Sequence, residues 1–437
     1  MDHLKSTLLN MKIISGALFN LNYSVAFYLW DCVFSRPLSL MKFFSRMSTN
    51  NIFFSKILQV LPPMYAHKSN FHNKVPFFSY EINLDAIHRL ESNYDIQIDH
   101  IPIFSGTTSV IFIGKLNDHP TQAKDIIVKV KKKGLSVNLK FSYSMVFMVS
   151  YIVDIFKLLP SVDLSDIVCK LYENIEHQND FLNEVDNLEY FRSRFSSDPR
   201  FVIPKVYRHF TETCSDIIVM DHIDCEDVTF IKETDREQCC ALISDFNLQC
   251  ILRFSMFHSD MHCGNIKVRY EGGQMQLVVL DFGIIGYLSP SEAQGVQELV
   301  RAGSNKSIHG VAMCVATWLV QKIEKLDNAN IFSEECIESE VEFCDDIVSY
   351  VKTLDLNCLT MSDYVRLSQV LTKHGYELRT CFSRLYLSLV ITHTFCKETL
   401  QARNIDAIST HTLTRLMIQN SIAKLVTFAS HHKEQTR

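Results

Sequence analysis

The chain has 437 residues, 47% of them hydrophobic and 21% charged, which excludes a disordered protein and allows one large or two ordinary domains. A net charge of −6 excludes the strongly basic balance of a nucleic-acid binder, so no nucleic-acid partner is expected. Its 14 cysteines include no C-x-x-C pair and no spacing of a disulfide framework, which points to free thiols in a reducing compartment.

Residues 1–50 carry only Asp2 and Asp31 as acids, against Lys5, Lys12, Arg36, Lys42 and Arg46. This suits an organelle-targeting or membrane-associating segment, with an amphipathic helix packed on the following domain as the alternative. Its apolar part, 13–34, is interrupted by Asn20, Asn22 and Asp31 and is a poor membrane span. Residues 102–116 predict strand, tight turn, strand around Gly106, and 126–130 a short buried strand. The densest basic cluster follows (Lys129, Lys131, Lys132, Lys133) and is read as a solvated loop after a strand. The apolar run 141–159 is expected as a core helix. Phe181, Val185, Leu188 and Phe191 repeat at helical spacing and predict a helix over 179–195. A buried strand over 216–224, a long helix over 236–257 and a strand over 277–283 running into a turn complete this part. Beyond Ser289 the pattern is almost wholly helical, opened by Pro290-Ser291-Glu292. Strands with one helix, then helices with a hairpin between them, give an α+β, two-lobed architecture with a mostly helical second lobe. The expected divisions are 1–50, 51–100, 101–225 and 226–437.

The chemistry concentrates in "FHSDMHCGNIKVRYEGGQMQLVVLDFG", residues 257–283. His258, His262 and Cys263 raise a zinc site, but His262-Cys263-Gly264-Asn265 is turn chemistry and no carboxylate completes a zinc-protease motif. Read instead as H-x-D-x-x-x-x-N followed by D-F-G, the stretch fits phosphoryl transfer. Asp260 orients the acceptor or takes its proton, and Asn265 and Asp281 offer the hard oxygens that magnesium on nucleotide phosphates requires. Upstream, Lys129 fits the strand lysine that holds the α- and β-phosphates, and Glu184 fits the helix glutamate that pairs with it. Ser105, Gly106, Thr107 and Thr108 form the loop over the phosphates. Met220 and Asp221 lie in the 216–224 strand, in the place of a kinase hinge, with Met220 lining the adenine pocket. The expected ligands are therefore ATP and magnesium. There is no G-x-G-x-x-G and no A-P-E, Ser259 replaces the arginine of H-R-D, and 55 residues separate Lys129 from Glu184.

These departures together resemble the UbiB family of atypical kinases, the aarF-domain-containing kinases. The family's H-A-D-x-H-P-G-N is matched by residues 258–265, and its D-F-G-x-x-G by Asp281 to Gly286. Its second histidine and glycine account for His262 and Gly264 without zinc. Its N-terminal K-x-G-Q extension is similar to residues 53–78, with Lys56, Gln59, Pro62 and Pro63, but Leu58 stands in place of glycine. Its E-x-D motif falls on Gln178-Asn179-Asp180, where the first acid is lost. The resemblance implies a kinase-like fold with a helical extension over 51–100, in which Lys56 and Gln59 regulate access to the cleft. It also implies ATPase or atypical kinase activity, a mitochondrial or membrane-associated setting, and isoprenoid-lipid (ubiquinone) metabolism, with an isoprenoid lipid or membrane surface as partner. Leu58 and Gln178 keep a second reading open, a nucleotide-binding pseudokinase scaffold. A small-molecule kinase of aminoglycoside or choline type shares the catalytic motif, but nothing in it requires residues 53–78.

Overall fold

The computed structural model describes residues 82–401, apart from 107, 118–122, 156–164, 166–167, 170–171, 173–175, 177–178, 324–333 and 355–360. The readings of residues 1–50 and 53–78, with Lys56, Leu58 and Gln59, and those of Thr107 and Gln178, lie outside the described residues. The described chain forms two compact units. The first comprises 82–194, 203–223 and 281–283, and the second 195–202, 224–280 and 284–401.

In the first unit, Asn83 caps α1 (Leu84–Asn93) by accepting from Ala86 N. Ala86, Ile87 and Leu90 lie on one face of α1 and are buried. β1 (Ile96–Ile98), β2 (Phe104–Ser105), β3 (Ser109–Leu116) and β4 (Lys124–Lys131) follow. Next come α2 (Leu135–Ile155) and α3 (Phe181–Phe195), whose last residue belongs to the second unit. The chain lends β5 (Phe201–Val202) to the second unit, then returns with α4 (Arg208–Thr213) and β6 (Ile217–Asp221). The sheet is antiparallel in the order β1-β3-β4-β6, with β2 also on β3.

Strand alternation sorts β4 into two faces. Ile126, Val128 and Val130 enter a core with Ile87, Leu90, Phe112 and Val219, and Lys129 takes the opposite face. Each large apolar side chain buried there contributes about 1.5–3 kcal/mol. α1 and β1, read as part of an extension over 51–100, belong to the first unit, because Ile96 and Ile98 alternate inward and β1 pairs with β3. The apolar helix begins at Leu135 rather than 141 and contains no membrane span. Among the described residues no helix is long and apolar enough to cross a membrane.

The second unit opens with β5, then β7 (Glu226–Asp227) and α5 (Glu233–Phe254). The helix expected to reach 257 stops three residues earlier. Ser255 takes a left-handed conformation (φ 55°), and Met256–His258 leaves as β8. β9 (Ile266–Glu271) and β10 (Gln274–Val279) form the expected hairpin, in a sheet of order β5-β10-β9-β7. Its turn is made by Gly272 and Gly273, both at positive φ. β11 (Ile285–Tyr287) pairs antiparallel with β8. Helices α6 (Pro290–Ser304), α7 (Ile308–Cys314), α8 (Glu334–Lys352), α9 (Met361–Lys373) and α10 (Thr380–Thr394) follow. Ser289 and Glu292 form a capping box at the start of α6, with Pro290 in its first turn. The region is not wholly helical. β12 (Val320–Lys322) and β13 (Tyr376–Leu378) form an antiparallel pair that ties segments far apart in sequence. The core of this unit runs through Phe257, Val296, Ile347, Leu371 and Phe382. Eleven cysteines of the described residues are free thiols.

Candidate active site

Three charged side chains converge in the first unit. Lys129 projects from the face of β4 away from the apolar core and is 7% exposed. Its Nζ donates to both carboxylate oxygens of Glu184, at 2.6 and 2.8 Å, and to Asp281 Oδ2 at 2.8 Å. Glu184 reaches that position from α3, between Phe181 and Val185, and is 1% exposed. Asp180 fixes the start of the helix, its Oδ1 accepting from Leu182 N and Asn183 N. The second acid of the family's E-x-D pattern is thus a helix cap.

One turn beyond Glu184, Asn187 donates to the carbonyl of Phe282 at 2.9 Å, and Phe191 packs on the Phe282 ring at 4.7 Å between centroids. Asp281 Oδ1 accepts from Gly283 N at 2.9 Å. α3 therefore carries both the partner of Lys129 and the anchor of the D-F-G segment. Burial alone would favour a neutral Lys129 amine, but the charges of Asp281 and Glu184 more than offset it and hold the ammonium well above its ordinary pKa. Burial, reinforced by the Asp281 charge, pushes Glu184 up to about 7, against the pull of Lys129.

The loop at 105–109 sits beside the C-terminal end of β4, where Ser109 pairs with Lys131. Gly106 N donates to Ser109 O at 2.9 Å, and Lys132 N to Thr108 O at 3.0 Å. Lys132 Nζ donates to Gly106 O at 2.5 Å. Lys132 corrects the reading of 129–133 as a solvated basic loop. It is 3% exposed, and burial lowers its pKa to about 8. Met220 is buried opposite Ile127 in the sheet. The Asp221 carboxylate is engaged within the unit, by Lys124 Nζ at 2.7 Å and the Tyr207 hydroxyl at 2.9 Å. Its backbone N–H donates to Lys205 O. These bonds make Asp221 a brace between β6 and the start of β4, a role its place at the strand end did not announce.

The second unit holds the H-x-D-x-x-x-x-N loop. His258, at the end of β8, is 1% exposed. Its Nδ1 accepts from Asp260 N at 3.1 Å, and its carbonyl accepts from Ser388 Oγ, on α10, at 2.6 Å. The His262 carbonyl accepts from Asn265 N and Ile266 N, closing the turn. His262 Nδ1 accepts from Gly264 N at 3.0 Å, which places the ring proton on Nε2, 3.5 Å from Asp260 Oδ2. Both histidines are thus committed to shaping the loop. Asn265 Nδ2 donates to Asp260 O at 2.9 Å, so its Oδ1 lies on the other side of the amide. Leu280 N, immediately before Asp281, donates to Asn265 O at 2.9 Å. Lys267 Nζ binds Asp227 Oδ2 at 2.5 Å and Cys263 O at 3.2 Å. In β11, Gly286 lies against Phe257, and a Cβ there would come within 2.4 Å of ring atoms. That contact explains the second glycine of D-F-G-x-x-G.

The structure thus joins Lys129, Glu184 and Asp281 in one unit, and Asp260 and Asn265 in the other. Sequence reasoning missed Asn187, Lys132 and Ser388. Asn187 carried a signal, one turn from Glu184 on the same face. Ser388 carried none, being 130 residues from His258.

The ABC1 atypical kinase-like domain model matches residues 83–314. The chain is 28% identical over 237 residues to the probable serine/threonine-protein kinase abkB of Dictyostelium discoideum, covering 52% of this chain and 35% of that protein. It is 24% identical over 253 residues to the probable protein kinase UbiB of Histophilus somni, covering 56% and 46%. The chain thus spans less than half the length of these curated relatives. Among solved structures it is similar to Rv3197 of Mycobacterium tuberculosis in complex with erythromycin, with a TM-score of 0.47 and 15% identity over 81% of this chain and 90% of that one. With a family match over more than half its length, and with the paired H-x-D-x-x-x-x-N and D-F-G motifs inside it, this α+β chain belongs to the ABC1 atypical kinase-like family.

Proposed function

We propose that the protein binds ATP with magnesium and acts as an atypical kinase or ATPase of UbiB type. The observation that carries this reading is the Lys129–Glu184–Asp281 cluster. Two buried or half-buried carboxylates and one ammonium are costly to assemble, and a well-packed apolar trio would serve stability as well. In phosphoryl transfer the same three groups have separate tasks: Lys129 holds the α- and β-phosphates, Glu184 aims Lys129, and Asp281 supplies a metal ligand.

Asp281 and Asn265 would hold magnesium. The donor set fits, because both offer hard oxygens and no sulfur or imidazole. Bound there with nucleotide, the ion neutralises phosphate charge. Asp260 accepts the proton of the attacking hydroxyl or water, and the His262 ring beside it keeps it oriented. Ser105, Gly106, Thr107 and Thr108 cover the phosphates, and Met220 lines the adenine side. Lys56 and Gln59, in the 53–78 segment, restrict protein substrates from the cleft. The isoprenoid-lipid context and a mitochondrial or membrane-associated location are part of the same proposal. The curated relatives include a chloroplastic Arabidopsis thaliana protein and bacterial ones, which spans the organelle and bacterial settings that the proposal draws on.

The test is the ATP-dependent thermal shift of the purified chain with and without magnesium, followed by phosphate release. A magnesium-dependent shift that Asp281→Asn abolishes supports the reading. Binding without turnover selects the pseudokinase scaffold. A wild-type protein with no nucleotide-dependent shift removes the proposal.

A further inference from the structure

We infer that Lys132 is a positioning residue for the phosphates, fixing the 105–109 loop to the strand that carries Lys129. The inference rests on the nucleotide reading and adds a residue to it. Kinase-like folds usually shape this loop with several glycines, which let the backbone approach phosphate. Here there is one, and it does little of that work. Gly106 has no positive φ, and a Cβ on it would meet Phe104 Cε1 and Ser109 O at 3.6 Å, ordinary contact. What holds the loop is a set of hydrogen bonds. Gly106 N to Ser109 O closes the turn, Lys132 N to Thr108 O ties it to the end of β4, and Lys132 Nζ to Gly106 O ties it a second time.

The side-chain tie is the informative one. A lysine at the mouth of a strand normally sends its ammonium into water, because desolvation opposes burial of the charge. Lys132 instead stays 3% exposed and turns one of its three donors to a main-chain carbonyl. Its neighbours behave differently: Lys131 approaches Asp216 at 3.6 Å and Lys133 binds Asp85 at 2.6 Å, both in partly exposed pairs. Lys132 lies three residues beyond Lys129 on the same stretch of chain. The loop above the phosphates and the lysine that grips them therefore move as one body, and the carbonyl of Gly106 is turned toward Lys132.

The experiment compares the wild type with Lys132→Met, which keeps the apolar stem, and with Lys132→Gln, which keeps a neutral donor should the methionine variant fold poorly. Two readouts are needed. Amide exchange over residues 103–110 reports the loop without nucleotide, and titration with magnesium–ATP and with adenosine separates phosphate from base recognition. Loss of a hydrogen bond from a charged donor should raise exchange in this segment and weaken magnesium–ATP binding by about tenfold or more, leaving adenosine affinity unchanged. Unchanged exchange over 103–110 overturns the inference, as does an equal loss for ATP and adenosine. A wild type that binds no ATP while Lys132→Met still loosens the loop refutes the nucleotide reading alone and leaves Lys132 as the residue that fixes the loop.

Discussion

Lys129→Met is expected to destabilise the protein by an amount that depends on pH, and the dependence follows from Glu184. In the native state one ammonium serves two carboxylates at 2.6–2.8 Å. Methionine keeps the stem but leaves Glu184, 1% exposed, facing Asp281 with only the weaker charge of Lys131 to offset it. Breaking a buried ion pair from one side costs about 3–5 kcal/mol when the remaining group stays charged. Glu184 can avoid part of that cost by taking a proton. Burial and the Asp281 charge already place it at about 7 with Lys129 present, and removing Lys129 moves it higher.

In the unfolded chain Glu184 releases its proton near the ordinary carboxylate value, so its raised native value makes stability fall as pH rises. In the wild type this loss runs from about pH 4.5 and ends near pH 7. In the variant it continues above pH 7, because the proton stays bound until the higher value is passed. Lys129, held above its ordinary value, stays charged throughout this range in the wild type and adds no slope. The stability difference should therefore be flat below pH 7 and grow by about 1.4 kcal/mol per pH unit above it. Between pH 6 and pH 8.5 that is about 2 kcal/mol. Urea unfolding followed by far-UV circular dichroism at both pH values measures it, provided the m-value is unchanged. A difference that is the same at both pH values would show that Glu184 does not depend on Lys129 for its charge, and the account of the cluster would fail.

Gly286→Ala should cost about 3 kcal/mol or more, because its Cβ would enter the buried ring of Phe257, and Phe257→Leu in the same chain should recover part of it in thermal melts. Gly106→Ala should be neutral or stabilise by up to about 1 kcal/mol, since its conformation suits any residue and alanine restricts the unfolded chain; a loss above that size by the same measurement counts against the described loop. Ser388→Ala leaves the His258 carbonyl without its 2.6 Å donor and should cost about 1–2 kcal/mol. Its expected sign in activity is a fall in turnover with little change in ATP affinity, measured by steady-state kinetics.

Much of this was legible because the informative residues obey periods. Alternation along 126–130 put Lys129 opposite Ile126, Val128 and Val130, and the helical repeat of Phe181, Val185, Leu188 and Phe191 placed Glu184 beside a buried stripe. Glycine pairs and capping residues marked the 272–273 turn and the start of α6. What escaped was whatever depends on contacts between segments remote in sequence. Nothing within 320–322 marks a strand; it becomes one because 376–378 lies beside it. Nothing within 236–257 marks the end of the helix, since Ser255 is no usual left-handed residue and is held there as β8 turns to meet β11. Asp221, expected beside the nucleotide, also has its carboxylate engaged by Lys124 and Tyr207, partners that no local pattern signals.

Lys132 shows the same limit in a sharper form. Composition treats consecutive lysines alike, and a run of them reads as solvent-facing because three or four desolvated ammonium groups side by side would be prohibitive. The structure resolves the run residue by residue. Strand alternation turns Lys129 toward Glu184 and Asp281, Lys131 and Lys133 find exposed acids, and Lys132, the first residue past the strand, is free of the alternation and folds back onto Gly106. One buried ammonium is tolerable when a carbonyl receives it, and here burial still lowers its pKa to about 8. That residual strain gives a measurable sign. Between pH 8 and the ordinary lysine value the unfolded chain holds the Lys132 proton more tightly than the native one, so this group makes stability rise with pH in that window. Lys132→Met removes the titration, so the wild type should gain stability relative to the variant as pH rises from 8 toward the ordinary lysine value. Parallel urea curves for the two proteins from pH 7 to pH 10 test it, and a stability difference that does not change with pH would mean that the Lys132 ammonium is not desolvated.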